Sequence, residues 1–181
     1  MRRLPGFSQW PCRWALRWAF ALPLLAPGQA AHAVDAPELK VAIVYNILQF
    51  VEWPADVDGS RLTLCVDTAG MLGGYFKALA GRPVNKRQLE VAEMGEGFDS
   101  WKQCQAVFLD SGSRRTAGFA ARLPRTLPVL VLGDHADGQG LTVHLIESAG
   151  RIGFNVDLAA ARHARLQISS RLLRLAKKVT E

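Results

Sequence analysis

AVFLDSGSRRTAGFAARLPRTLPVLVL, residues 106–132, is the stretch that decides the fold. Ala106 to Asp110 is a short apolar run rich in strand-forming residues. Arg114 to Arg122 is polar with helical spacing, and Pro128 to Leu132 is a second apolar run. Runs of four to eight apolar residues bounded by turn signals read as strands buried on both faces. Two such strands joined through a helix require a crossover, and a crossover makes them parallel.

The pattern extends upstream. Arg61 to Asp67 (RLTLCVD) alternates like a strand, Gly70 to Leu79 reads as a helix closed by Gly81 and Pro83, and Gln88 to Ala92 is a shorter strand. Met94 to Gln103 is a glycine-containing loop with one expected helical turn at Trp101. Downstream the style changes: Leu141 to Ile146 and Arg151 to Val156 are separated only by Glu147-Ser-Ala-Gly150, a hairpin signal. A helical piece, Leu158 to Arg165, follows with Asp157 as its cap, and Ser169 or Ser170 starts a last helix, RLLRLAKKV, with Leu172, Leu175, Ala176 and Val179 as its buried stripe. The expected fold is α/β: a single compact domain, a mostly parallel sheet of about six strands ending in an antiparallel hairpin, and helices on both faces.

Upstream of the first strand lies LKVAIVYNILQFVEWP, residues 39–54. Val41, Val44, Tyr45, Leu48 and Val51 form one stripe at helical spacing, and Ile43, Ile47 and Phe50 form a second beside it. Pro54 disfavours helical geometry at Trp53 and ends the helix. Thirteen residues interrupted by Asn46 and Gln49 are too few to span a membrane, so protein must cover both stripes. The expectation is that the Val41 stripe packs on the sheet and that Ile47 and Phe50, with Trp53, lie nearer a dimer or partner surface.

Residues 1–33 read as an export signal. Arg2, Arg3, Arg13 and Arg17 come without any acid, Trp18 to Ala26 is a short apolar core, and Ala31-His32-Ala33 offers a cleavage site, with a cut after Ala30 as the alternative. Residues 34–181 then form the mature domain. The whole chain has 22 basic and 16 acidic residues, but four bases lie in the leader, leaving 18 against 16, a net +2. The high isoelectric point therefore belongs largely to the leader and does not argue for nucleic-acid binding. No segment is expected to insert in the membrane after processing. Cys12 leaves with the leader, and Cys65 and Cys104 remain as a pair that an exported chain favours as a disulfide; two separate buried thiols are the other reading.

The chain carries no G-x-S-x-G elbow, H-E-x-x-H pair, P-loop or G-x-G-x-x-G turn. Asp134, His135 and Asp137 could approach a metal, yet polar turns after strands often have this composition, so no metal and no cofactor is expected. Asp67-Thr68-Ala69-Gly70 is a strand-to-helix turn that could hold an anion or merely cap the helix. Asp67, Thr68, Asp134 and His135 are thus the candidate ligand-binding residues. His144 and His163 stand alone and read as structural. Arg171 and Arg174, with Arg162, Arg165, Lys177 and Lys178 near them, offer a docking face for an acidic partner or simply complement a helix terminus. Catalysis is not the expected activity.

Taken in order, Tyr45-Asn46, Phe50-Val51-Glu52-Trp53-Pro54, Leu64-Cys65-Val66, Gln103-Cys104-Gln105-Ala106-Val107-Phe108, Pro128-Val129-Leu130, Ile152-Gly153-Phe154-Asn155-Val156 and Leu166-Gln167-Ile168-Ser169-Ser170-Arg171-Leu172-Leu173-Arg174-Leu175-Ala176 resemble the YfiR family, from about Leu39 to the C-terminus. The resemblance implies a periplasmic protein with an α/β fold that tends to dimerise. It further implies a repressor that binds the periplasmic sensor domain of an inner-membrane diguanylate cyclase, lowering cyclic-di-GMP and biofilm formation. Cys65 and Cys104 correspond to the family's disulfide; the second cysteine pair of some members is missing here. The alternative is a periplasmic sensor that binds a small molecule at the turns near Asp67 or Asp134.

Overall fold

The computed structural model describes residues 36–57, 59–95, 100–113, 119, 124–135 and 137–181. All described elements belong to one unit, Ala33–Glu181. In chain order they are α1 (Ala36–Leu48), β1 (Val51–Glu52), β2 (Arg61–Val66), α2 (Gly73–Lys77), β3 (Pro83–Val84), β4 (Arg87–Glu93), a 3-10 turn (Ser100–Gln103), β5 (Ala106–Leu109), β6 (Leu130–Gly133), β7 (Val143–Ser148), β8 (Arg151–Asp157), α3 (Leu158–His163), β9 (Gln167–Ile168), α4 (Ser170–Leu175) and β10 (Lys178–Thr180).

Eight strands form one sheet in the order β10-β8-β7-β6-β5-β2-β4-β3. The central run from β7 to β4 is parallel, with Leu132 beside Val143, Ala106 beside Leu130, Cys65 beside Val107 and Leu64 beside Val91. β7 and β8 pair antiparallel as the expected hairpin, and Ala149 and Gly150 turn it with φ of 51° and 70°. Positive φ at both central residues matches the right-handed twist of the flanking strands. The expected helix Arg114 to Arg122 lies outside the described residues except Phe119.

Side-chain alternation divides the interior into two cores. Leu62, Leu64 and Val66 on β2, Ala106 and Phe108 on β5, and Leu130 and Leu132 on β6 face α1 and α2. Phe76 of α2 packs against Phe108 with ring centroids 4.9 Å apart and the rings tilted by 48°. Cys65, Val107, Leu109 and Val131 face the other way, against Met94, Trp101, Cys104 and Phe119. This double cover explains why β5 is buried at every residue. α2 starts close to the chain before it: a Cβ on Gly73 would lie 2.2 Å from the carbonyl oxygen of Thr68, so only glycine fits there. At α3 the expected cap is present, Asp157 accepting from the Ala160 N–H.

The β2–β5 pairing brings the cysteines together. Cys65 sits in register with Val107, Cys104 lies just before β5, and their Cα atoms are 5.8 Å apart in a formed disulfide. The reading with two separate thiols is thereby excluded.

Three expectations are corrected. The sheet gains two edge strands, β3 and β10, so it has eight strands rather than six. The last helix stops at Leu175, and residues 178–180 pair in parallel with β8, leaving Leu175 and Val179 68% and 37% exposed. The open edge of β8 offers a row of unpaired backbone groups, and Lys177 N–H donating to Phe154 C=O starts a ladder that competes with the helix. Finally, α1 ends at Leu48; the N–H groups of Gln49 and Phe50 close a tight turn on Asn46 and Ile47, and Val51–Glu52 pairs antiparallel with Gln167–Ile168.

Candidate interaction site

The C-terminal end of α1 is pinned to the β3–β4 turn. The Tyr45 hydroxyl and the Gln49 amide both donate to the Pro83 carbonyl, at 2.7 and 2.9 Å. Gln49 also accepts from the Asn85 N–H at 3.1 Å. Asn85 has φ 55°, a left-handed conformation that asparagine tolerates, and it turns the two-residue hairpin between Val84 and Arg87. Arg82 stacks over the Tyr45 ring, 5.7 Å from its centre. Further along, the Trp53 indole donates to the Gln105 carbonyl at 3.0 Å, tying residue 53 to the entrance of β5.

Between these anchors lies an open groove of about 540 Å³. Phe50 and Trp53, both half-buried, contribute aromatic surface; Lys86, Arg87 and Arg171 line it as cations, and Glu52 is the one acid among its described lining residues. Arg87 is held from behind by donation from Nη2 to the Val57 carbonyl at 2.7 Å. Its Nη1 is buried and has no hydrogen-bond partner among the described residues.

A second polar site gathers at the C-terminal ends of β2, β5 and β6, where ligands often bind in open α/β sheets. Asp67, Asp110 and Asp134 follow these strands in turn. Their oxygens are engaged within the protein. Asp67 accepts from the Ala69 N–H and from the Ser113 hydroxyl. Asp110 accepts from the Gly112 N–H at 2.9 Å. Asp134 binds Lys40 of α1 at 2.6 Å and the Ser111 N–H at 2.7 Å. Burial pushes the Asp134 carboxyl up, but the Lys40 ammonium and the Ser111 N–H outweigh it and hold it below the ordinary carboxylate value. The Thr68 N–H donates to Glu93, and Asp137 accepts from the Gln139 N–H. His135 lies beside Lys40 and Asp134, along a cavity of about 330 Å³, with its Nε2 buried and unbonded among the described residues. Among the described residues no cluster of His, Cys, Asp and Glu is placed to hold a metal.

The fold thus brings Phe50, Trp53 and Arg171 of the expected interaction residues into one groove. Ile47 is corrected: at 1% exposure it belongs to the first core. Both stripes of α1 supply core residues, and Tyr45 lies at the helix flank, where its hydroxyl reaches Pro83. Arg174 is exposed but does not line the groove, and Asp67, Thr68, Asp134 and His135 stay at the strand ends. Sequence reasoning missed Asn85, Lys86 and Arg87. The available signal was Asn-Lys between Val84 and Arg87, a two-residue turn with an asparagine at a position needing positive φ.

The groove, at the start of β2 and β4, is aromatic and cationic, and the carboxylates at the opposite ends of the strands are bonded within the protein. A family model matches residues 37–177, and the chain belongs to the YfiR/HmsC-like family. This is a family of periplasmic regulators of the diguanylate cyclase pathway, regulatory rather than catalytic. No curated protein matches the chain. Among solved structures, a conserved domain protein from Vibrio cholerae O1 biovar El Tor strain N16961 is similar at TM-score 0.47 and 11% identity, over 81% of this chain and 61% of its own. The chain therefore spans about 61% of that neighbour's length. No described helix is long and apolar enough to cross a membrane.

Proposed function

We propose that residues 1–33 export this protein and that the mature chain binds the periplasmic sensor domain of an inner-membrane diguanylate cyclase. It holds cyclic-di-GMP synthesis down and with it biofilm formation. The observation that carries this reading is the family match over residues 37–177. The groove between α1 and the β3–β4 turn supports it by offering apolar and charged surface suited to a protein contact. A homodimer belongs to the same proposal, and sedimentation equilibrium of the exported protein measures it. Small-molecule sensing at Asp67, Thr68 and Asp134 is less favoured, because those groups already bond within the chain.

The test is a gene deletion with cyclic-di-GMP quantified by mass spectrometry and surface attachment measured in parallel. Both should rise, and the full chain should restore them while a chain starting after Ala33, left in the cytoplasm, should not. Unchanged cyclic-di-GMP in a strain with a periplasmic-domain cyclase encoded beside the gene would refute the proposal.

A further inference from the structure

We infer that the groove between α1 and the β3–β4 turn is a receptor for an extended acidic segment of a partner protein, seating a carboxylate on Arg87 and flanking apolar side chains on Phe50 and Trp53. This rests on the reading above that the chain works by binding another protein.

The argument begins with Arg87. A guanidinium is charged at every physiological pH, offers five donors in a planar fork, and matches a carboxylate two bonds at a time. Here Nη2 is spent on the Val57 carbonyl, Nη1 has no partner among the described residues, and the Arg87 side chain lines an opening of about 540 Å³. A guanidinium on the lining, with donors beyond the one spent on Val57, favours a carboxylate that enters the opening. Lys86 and Arg171 on the same lining, against Glu52 as the one acid among the described lining residues, give the opening a positive field that favours an anionic entrant and disfavours a cationic one.

The groove is also prepared in advance. Gln49 fixes the Asn85 turn, Trp53 is fixed to Gln105, and Arg87 is fixed to Val57, so little side-chain freedom is lost when an occupant arrives. Phe50 and Trp53 beside the cations call for apolar residues next to the acid. The groove is open to solvent, which suits a chain segment.

The exported protein purified from the periplasm is titrated by calorimetry with acetyl-Leu-Glu-Leu-Glu-Leu-amide and with its uncharged counterpart, acetyl-Leu-Gln-Leu-Gln-Leu-amide. The acidic peptide should bind about tenfold tighter or better, the scale of one charge-assisted hydrogen bond. Arg87→Gln should erase that preference, Arg87→Lys should keep part of it, and Arg151→Gln, outside the groove, should leave it intact. If Arg87→Gln fails to fold, Lys86→Gln combined with Arg171→Gln, both at exposed positions, should reduce the preference several-fold and flatten its salt dependence. Equal affinity for the two peptides, no binding of the acidic one at millimolar concentration, or a preference that survives the groove substitutions would overturn the inference. Cyclic-di-GMP in the deletion strain is read separately. Peptide selectivity without a cyclic-di-GMP change sinks the cyclase proposal and leaves the groove standing; a cyclic-di-GMP change without selectivity does the reverse.

Discussion

Removing the disulfide should cost this domain on the order of 4 kcal/mol. The bond joins residues 39 apart in sequence, and both cysteines are buried, at 0% and 3% exposure. In the chain-entropy treatment, closing a loop of about 40 residues removes roughly 13 cal/mol/K from the unfolded ensemble, or about 4 kcal/mol at 25 °C. Cys65→Ala with Cys104→Ala deletes the cross-link and avoids burying hydroxyls among Met94, Trp101 and Val107, which pack around the pair. For a domain of this size the loss corresponds to a melting-temperature drop of roughly 8–16 °C. Urea unfolding of the oxidised protein and the double variant, followed by far-UV circular dichroism, measures it. The urea slope should rise as the midpoint falls, because the unlinked unfolded chain exposes more surface. A loss under about 1 kcal/mol with the native spectrum intact would refute the loop argument. The β2–β5 contact would then have to persist in the unfolded chain.

Ile47→Ala should destabilise by about 2–5 kcal/mol in the same assay, since the side chain is 1% exposed in the first core; a loss below about 1 kcal/mol would return Ile47 to the surface. Gly73→Ala should cost about 1–3 kcal/mol, because its Cβ would meet the Thr68 backbone at 2.2 Å and the α2 entrance must shift; an unchanged urea midpoint would show that the turn yields freely. Asp134 has a folded pKa below its unfolded value, so its contribution is full above the unfolded carboxylate pKa, near 4, and is lost as pH falls through the lower folded value. Asp134→Asn should therefore destabilise the protein at pH 7 and much less at pH 2–3, and an equal loss at both would rule out the Lys40–Asp134 pair as the cause.

Much of the sheet was legible because its strands are short apolar runs separated by polar turns. Arg61 to Asp67, Gln88 to Ala92, Ala106 to Asp110 and Pro128 to Leu132 each fall on an observed strand, and parallel pairing follows from their long connections. The hairpin at Ala149-Gly150 and the Asp157 cap depend on neighbours one to three residues away, so local chemistry specifies them. The tail was not legible in the same way. RLLRLAKKV has helical spacing throughout, yet its end pairs with β8, because an open sheet edge several elements away competes for the same backbone groups. The two stripes of α1 were visible, but periodicity cannot say which neighbour covers each stripe, and Ile47 was placed wrongly for that reason.

The sequence alone determined the alternation of strands and helices, the cysteine pair and the order of motifs that marks the family. These reside in residue type and spacing along the chain. Only the tertiary structure decided the groove, which joins residues 49–53, 84–87 and the pair Ser169 and Arg171 around Leu62. No spacing links those three segments; the β1–β9 pair, the Gln49 contacts to Pro83 and Asn85, and the β3–β4 turn bring them together. That Arg87 Nη1 has no partner among the described residues also depends on this enclosure, since whether a donor finds a partner depends on everything that surrounds it.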